Sequence, residues 1–220
     1  MHNVERAILI VIVVFCSIPA YAGRDYELRE SKKCSSIFYY FERKYKLPAN
    51  SLHPISLHET AKRHSQHNIS VVWPWTVMNN KDGKSYHFKN QDEAIRYVRT
   101  QFKVGNNNLD VGCMQINLKH HPHAFRSLQH AFSPNINVAY GAYFLSENLK
   151  KLGSIEKATG RYHSATEHLA IKYTQRVSKI KQEMPIYKDD LKRYADNGTG
   201  GKRKTVYADL YRSKNYSKPH

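Results

Sequence analysis

Ser51-Leu52-His53-Pro54-Ile55-Ser56-Leu57-His58-Glu59-Thr60-Ala61 is the stretch whose reading decides the fold. Leu52, Ile55 and Glu59 recur at i, i+3 and i+7, positions that share one face of a helix. Ser51 can cap that helix, and Pro54 is tolerated in its first turn. Two of the three positions are aliphatic, so the face is expected to be buried. The third is then a carboxyl group pressed against a core, where desolvation disfavours the charged form and raises the pKa. An acid still protonated near neutral pH is what protonating a glycosidic oxygen requires. Taken alone, the window is better read as an amphipathic helix with an ordinary surface Glu, because perturbed carboxylates are rare, so the rest of the chain has to decide.

The chain has 220 residues, enough for one domain with its own core. Its 35 Lys and Arg against 18 Asp and Glu leave a net charge of +17. That balance attracts polyanions, whether nucleic acid, an anionic membrane or an anionic wall polymer, and does not choose among them. The 16 tyrosines suit a carbohydrate groove and suit single-stranded nucleic acid equally.

The N-terminus reads as an export signal. Ala7 to Phe15 is an apolar run after Arg6, and Pro19 precedes the small-x-small pattern Ala20-Tyr21-Ala22. The run falls short of the roughly 20 residues of a membrane span. Residues 1–22 are therefore expected to be a signal peptide cleaved after Ala22, which makes the protein exported and periplasmic, in the cell envelope. Cys16 leaves with the signal. Cys34 and Cys113 remain, and an even pair in an exported protein is expected to form one disulfide.

Ser31 to Lys46 reads as one helix burying Cys34, Ile37, Phe38, Phe41 and Tyr45. Val71 to Val77 is β-rich and Asn79 to Gly83 turn-rich, which predicts a small hairpin ending at Tyr86-His87-Phe88. Trp73 and Trp75 fit a core or the wall of a groove. Helices are expected over Gln91 to Lys103, Pro122 to Ala131, Pro134 to Leu152, from Ser154 to Tyr162, and Thr166 to Met184. The Pro134 helix carries an apolar stripe of Val138, Ala142, Leu145, Leu149 and Leu152, with Gly153 after its end. Beyond Pro185 the pattern fades into a basic, polar segment. The expected organisation is a signal over 1–22, a mainly α domain over 31–184 with one small β-hairpin, and a flexible basic tail over 185–220.

Four elements occur in order: Glu59; Trp73-Pro74-Trp75-Thr76; Asp110-Val111-Gly112-Cys113-Met114-Gln115-Ile116-Asn117; and Arg161-Tyr162-His163-Ser164. This ordered set resembles the lysozyme-like lytic transglycosylases of the soluble-transglycosylase (SLT) type, which cleave bacterial peptidoglycan. The resemblance runs from about Cys34 to Val177. It implies an α+β lysozyme-like fold, Glu59 as a single catalytic acid/base, and substrate contacts from Thr60, Met114, Gln115, Asn117 and Tyr162. Two positions depart from the family pattern: Thr60 stands where Ser is usual after the acid, and Arg161-Tyr162-His163 where Ala-Tyr-Asn is usual.

The resemblance further implies cleavage of the MurNAc-β-1,4-GlcNAc bond without water, giving a 1,6-anhydro product, with no cofactor and no metal. Asp110 is the one candidate for a second acid, and an Asp before a Gly-containing turn reads better as a turn residue. His120-His121-Pro122-His123 invites a metal reading, but adjacent histidines splay apart and no acidic ligand accompanies them. The expected partners are peptidoglycan glycan strands and, through the basic tail, a cell-envelope or secretion-apparatus protein. No nucleic acid is expected, and the chain is expected to be a monomer. The alternatives are a hydrolytic lysozyme acting on the same bond and a secreted basic protein that binds nucleic acid or an anionic surface.

Overall fold

A computed structural model describes residues 21–197. The expected signal, up to residue 20, and the tail from residue 198 lie outside the described residues. Eight helices and six short strands run in the order α1 (Tyr21–Ser35), α2 (Phe38–Lys44), α3 (Leu52–Thr60), β1 (Lys62–Arg63), β2 (Ser70–Val71), β3 (Thr76–Asn79), β4 (Lys84–His87), α4 (Gln91–Lys103), β5 (Leu109–Val111), β6 (Ile116–Asn117), α5 (Leu128–Ala131), α6 (Pro134–Leu152), α7 (Ile155–His163) and α8 (Glu167–Asn197). The architecture is mainly α with a small sheet, as the sequence predicted.

The hairpin is present, but it is half of a larger sheet. Strands pair in the order β4-β3-β5-β6, all antiparallel. Val77 faces Tyr86 on one side and Val111 on the other, and Val111 in turn faces Ile116. Strands β5 and β6 are three and two residues long. They are too short to show alternation in sequence and owe their existence to β3 beside them. Their connection is the Gly112-Cys113-Met114-Gln115 segment. A separate ribbon joins β1 and β2.

Both tryptophans belong to the core. Trp73 is buried and donates its Nε1 proton to the Phe88 carbonyl at 2.7 Å. Trp75 is buried and donates to Glu30 Oε2 at 2.7 Å. Each ring thus hides its apolar body and satisfies its one donor, the condition for burying an indole.

The helices depart from expectation where tertiary partners intervene. Ser31 to Lys46 is two helices, because the chain breaks at Ser36-Ile37 between α1 and α2. Helix α1 also begins earlier than the expected domain boundary at residue 31, and its Glu27 and Glu30 are buried. Glu27 pairs with Lys62 and accepts from the Ser65 backbone N–H at 2.8 Å and its hydroxyl at 2.7 Å. Burial alone would raise the Glu27 pKa; the hydrogen bonds from Lys62 and Ser65 outweigh it and hold the carboxyl below its usual range. Pro122 to Ala131 yields only the single turn of α5, with Ser127 accepting from the His130 N–H as its cap. Leu152, expected inside, is 40% exposed at the end of α6, and Phe102 is 42% exposed at the end of α4.

Ser51 does not cap α3. Its hydroxyl donates instead to the Pro48 carbonyl at 2.6 Å. The cap comes from α2: the buried Glu42 carboxylate accepts the backbone N–H groups of Asn50 at 3.0 Å and Leu52 at 2.9 Å. A carboxylate at a helix N-terminus satisfies orphan donors and complements the dipole. Helix α4 is capped by Asn90 accepting from Glu93 N–H, and α7 by Ser154 accepting from Lys157 N–H.

Helix α8 does not stop at Met184. It continues through Pro185 to Asn197. Tyr173, Val177, Ile180, Met184 and Tyr187 are buried at alternating steps of four and three, so Tyr187 extends the stripe past the proline. The first residues assigned to the tail are thus part of the packed helix. Tyr187 meets His53 of α3 edge-on, with ring centroids 5.3 Å apart. Pro185 removes one helical N–H, and the tertiary packing carries the helix across the gap.

Cys34, near the end of α1, is disulfide-bonded to Cys113 in the β5–β6 turn, with Cα atoms 5.9 Å apart across a separation of 79 residues. This is the pairing expected from the sequence. Closing a loop of that length stabilises by about 4.5 kcal/mol in the chain-entropy model. Replacing both cysteines with serine is therefore expected to lower the unfolding free energy by about that amount, measured by urea unfolding of oxidised wild type against the double variant.

His53 is buried between Phe38, at 5.1 Å, and Tyr187. Burial first, then the nearby Lys188 charge, push its pKa down to about 3. Between pH 6.5 and 3 the unfolded chain binds a proton that the folded chain refuses. Stability is therefore expected to fall with pH by roughly 1.4 kcal/mol per unit across this window. A His53→Phe variant should remove that slope in unfolding free energies measured at pH 6.5, 5 and 4.

Candidate active site

Helix α3 ends in the residues of interest. Every residue from Leu52 through Leu57 is buried, which anchors the helix on all sides. Glu59 is the penultimate residue, and its side chain is only 8% exposed. His58 Nδ1 lies 4.0 Å from Glu59 Oε1. Two hydroxyls lock the helix end. Ser56 Oγ donates to the Cys113 carbonyl at 2.7 Å, and Thr60 Oγ1 donates to the Ser56 carbonyl at 2.7 Å while accepting from Trp73 N–H at 3.2 Å.

The turn between β5 and β6 lies against this helix end. Gly112 has φ 78° and Gln115 has φ 48°. Glycine takes the left-handed region at no cost, whereas Gln115 is there because its surroundings hold it there. Its side-chain amide donates to the Thr76 carbonyl at 3.0 Å and the Gly112 carbonyl at 2.9 Å. Its Oε1 is buried with no hydrogen-bond partner among the described residues, a spare acceptor.

Asn137, in the first turns of α6, closes the turn from the other side. It is fully buried. Its amide donates to the Val111 carbonyl at 3.0 Å and the Ala131 carbonyl at 2.8 Å, and its Oδ1 accepts Met114 N–H at 2.8 Å. One turn on, Gly141 lies so close to the motif that a Cβ there would come within 2.7 Å of the Met114 side chain and 3.0 Å of the Tyr162 hydroxyl. That hydroxyl donates to the Met114 carbonyl at 2.8 Å.

Two phenols surround Glu59. Tyr162 is raised well above its usual pKa by burial first, then by the charges of Glu59 and Asp110. Tyr173, from α8, is raised likewise by burial, by the Glu59 charge, by Tyr162 and by a contact with the Glu59 carboxyl. Both phenols are thus protonated donors at any physiological pH. Tyr162 gives its proton to Met114; the Tyr173 hydroxyl is buried near Glu59 without a hydrogen-bond partner among the described residues. The Tyr173 ring is held by two histidines: it stacks on His163 at 4.5 Å and 1° and takes His58 edge-on at 4.8 Å.

The structure brings Glu59, Gln115 and Tyr162 into one neighbourhood, through the bonds that join α3, the turn and α7. It gives three of the expected sugar contacts internal tasks instead. Thr60 is fully buried with its hydroxyl engaged. The Met114 side chain is fully buried. Asn117 holds the next turn: its amide donates to Asn108 Oδ1 at 2.9 Å and Asp110 Oδ1 at 2.6 Å, and its Oδ1 accepts from Lys119 and His120 N–H at 2.9 Å. These residues brace the site rather than present side chains to a ligand. Asp110 is buried inside β5 rather than in a turn, and its Oδ1 also accepts from the Asn80 side chain at 3.1 Å. His121 contacts Tyr140 Oη at 3.0 Å through Nδ1.

Sequence reasoning missed Asn137 and Tyr173. Asn137 has a readable signal, an Asn and a Gly at i and i+4 beside the apolar stripe of α6. Tyr173 reads as plain core in its helical register, and nothing local ties it to Glu59. Gly112→Ala is expected to destabilise by about 2–3 kcal/mol or more, because a Cβ there would stand 2.4 Å from Asn137 Nδ2 on a left-handed backbone. Thermal unfolding of Gly112→Ala, beside an Ala substitution at the open left-handed Gly153, measures the difference.

Residues 90–185 match the family model of the transglycosylase SLT domain. The matched segment begins at α4, so it contains the Gly112–Gln115 turn, Asn137, Tyr162 and Tyr173, while Glu59 lies before it. Neither a curated protein nor a solved structure matches the chain.

Proposed function

We propose, from the premise that the chain carries a transglycosylase SLT domain and so acts on peptidoglycan, that it is a lytic transglycosylase with Glu59 as its single acid/base. The observation that carries this reading is the setting of Glu59: 8% exposed, at the end of a buried helix hydrogen-bonded to the Gly112–Gln115 turn, with Tyr162 and Tyr173 beside it. Burial of that degree favours the protonated carboxyl, the form a general acid needs.

The reaction needs no second acid. Protonated Glu59 donates to the oxygen bridging N-acetylmuramic acid and N-acetylglucosamine. The C1–O bond breaks, the glucosamine leaves with a free 4-hydroxyl, and C1 takes on oxocarbenium character. The O6 hydroxyl of the same muramic residue then bonds to C1, and its proton passes to the Glu59 carboxylate. This closes the 1,6-anhydro ring and restores the acid. Tyr173, always protonated, steadies the carboxylate while it is charged. The buried Gln115 Oε1 is a candidate acceptor for a sugar amide or hydroxyl once substrate opens the site. Tyr162, through Met114, keeps the turn in register.

We further propose that the protein works in the periplasm after removal of residues 1–22, and that its +17 charge concentrates it on the anionic wall. Among the described residues no helix is long and apolar enough to cross a membrane. The basic segment from residue 198 is the candidate docking element for an envelope or secretion-apparatus protein.

Digestion of purified sacculi followed by mass spectrometry of the muropeptides tests the reading. Wild type is expected to release 1,6-anhydro ends, and Glu59→Gln to lose about 10²-fold or more of the rate. Tyr173→Phe should retain the fold and lose about tenfold. Reducing ends alone would make the enzyme a lysozyme, and a fully active Glu59→Gln would remove the acid.

A further inference from the structure

Helix α2 divides into two sides. Phe38, Phe41 and Glu42 are buried, and Tyr45, just past the end, is partly buried. Spaced i, i+3, i+4 and i+7, these positions form the side that packs on the protein. Tyr39, Tyr40, Arg43 and Lys44 form the other side. Tyr39 is 63% exposed and Tyr40 59%, two adjacent phenols left in water although the inner side is complete without them. Tyr40 touches its neighbour Phe41 edge-on at 5.0 Å, and most of both tyrosine side chains stays open.

Each phenol carries a cation one turn on. Arg43 lies 5.8 Å from the Tyr39 ring centre and donates from Nη1 to its hydroxyl at 3.2 Å, and Lys44 lies 6.0 Å from the Tyr40 ring centre. Lys46 is exposed just beyond. The positive charge continues onto α8, where Lys188 Nζ donates to Asn50 Oδ1 in the α2–α3 connection at 2.9 Å. The acids of α2 and of α8 between Pro185 and Arg193 do not cancel it. Glu42 is buried on the N–H groups at the start of α3, Asp190 is buried, and Asp189 pairs with Arg193 at 2.7 Å.

We infer that this side of α2 rests on an anionic lipid bilayer, with Tyr39 and Tyr40 at headgroup level and Arg43, Lys44, Lys46 and Lys188 against the lipid phosphates. Tyrosine suits that boundary because its body is apolar and its tip polar. Long Lys and Arg stems bend to keep their charge in the wet layer. Complementary charge supplies the attraction, about fivefold in partitioning for each cation near such a surface. Single-stranded nucleic acid fits less well. Its bases stack on free ring faces, and Arg43 and Lys44 already cover one face of each phenol. The inference goes beyond the function proposed above and adds a place to it, the layer of wall next to a membrane.

Co-sedimentation of the full chain with vesicles of mixed phosphatidylglycerol and phosphatidylcholine, against phosphatidylcholine alone, tests it at physiological salt. Wild type is expected to bind the anionic vesicles. Arg43→Gln with Lys44→Gln should weaken that binding by about 25-fold, two factors of five. Arg99→Gln with Lys103→Gln removes the same charge from exposed positions of α4 and should cost about fivefold or less. Tyr39→Ser with Tyr40→Ser keeps every charge and should still weaken binding. Tyr40→Trp should add an emission that shifts to the blue on binding, while Trp73 and Trp75 stay buried. Thermal unfolding confirms that each variant is folded. No binding to anionic vesicles, or binding indifferent to either α2 double variant, overturns the inference. So do equal losses from the α2 and α4 pairs, which would mean general adhesion of a +17 chain. Binding of single-stranded DNA or sacculi that Arg43→Gln with Lys44→Gln weakens, with vesicles left unbound, overturns it too, since the face would then hold another polyanion. Vesicle binding involves no glycan, so a loss of anhydro products would count against the proposed reaction alone, and a loss of vesicle binding against this surface alone.

Discussion

One buried amide holds the site together. Asn137 uses both donors and its acceptor on three backbone groups, from β5, α5 and the β5–β6 turn. A fully buried amide is costly unless its hydrogen bonds are made, so the arrangement is all or nothing. It sets where Met114 sits, and Met114 sets two further contacts: its carbonyl receives Tyr162, and its side chain packs on Gly141. Sheet, turn, α6 and α7 therefore share one geometric solution. A larger residue at Gly112 or Gly141 would enter space that these groups already fill.

The same turn is held from the other side by α3. Ser56 donates to the Cys113 carbonyl, and the Cys113 sulfur is bonded to Cys34. The helix that carries Glu59 is thus fixed at its start by the Glu42 carboxylate and near its end by Ser56 and Thr60. A carboxyl at the end of such a helix has little freedom to swing into water. Preorganisation of that kind is what the proposed reaction asks of a single acid serving both proton transfers, since such an acid need not be repositioned between them. The strained backbone at Gln115 belongs to the same economy of space: the turn is short, the amide bridges it, and the left-handed residue follows.

Much of the fold was legible in the sequence. The bounds of α4 and the start, length and glycine stop of α6 follow from periodicity and capping residues, which act within a few positions. The pairing of Cys34 with Cys113 followed from there being one pair in a chain read as exported. Glu59, Gln115 and Tyr162 were found as an ordered set and converge in space. Other features were not legible because their causes are distant. Glu42 displaces Ser51 as the cap of α3 from ten residues away. Strands β5 and β6 have no pattern of their own. Leu152 and Phe102 look like core by register but lie where their helices run out past their neighbours.

What the sequence alone determined is the helical character of the chain, its excess of positive charge and the identity of the groups able to do chemistry, because each depends on residue type and local spacing. What only the tertiary structure decided is which of those groups remain available. Thr60, Met114 and Asn117 were candidates for contact with a ligand until packing enclosed them or turned them to partners within the protein, and Tyr173 was ordinary core until α8 brought it near Glu59. Availability depends on what surrounds a side chain, and residues that surround Glu59 come from as far along the chain as α8, beyond the reach of any local pattern.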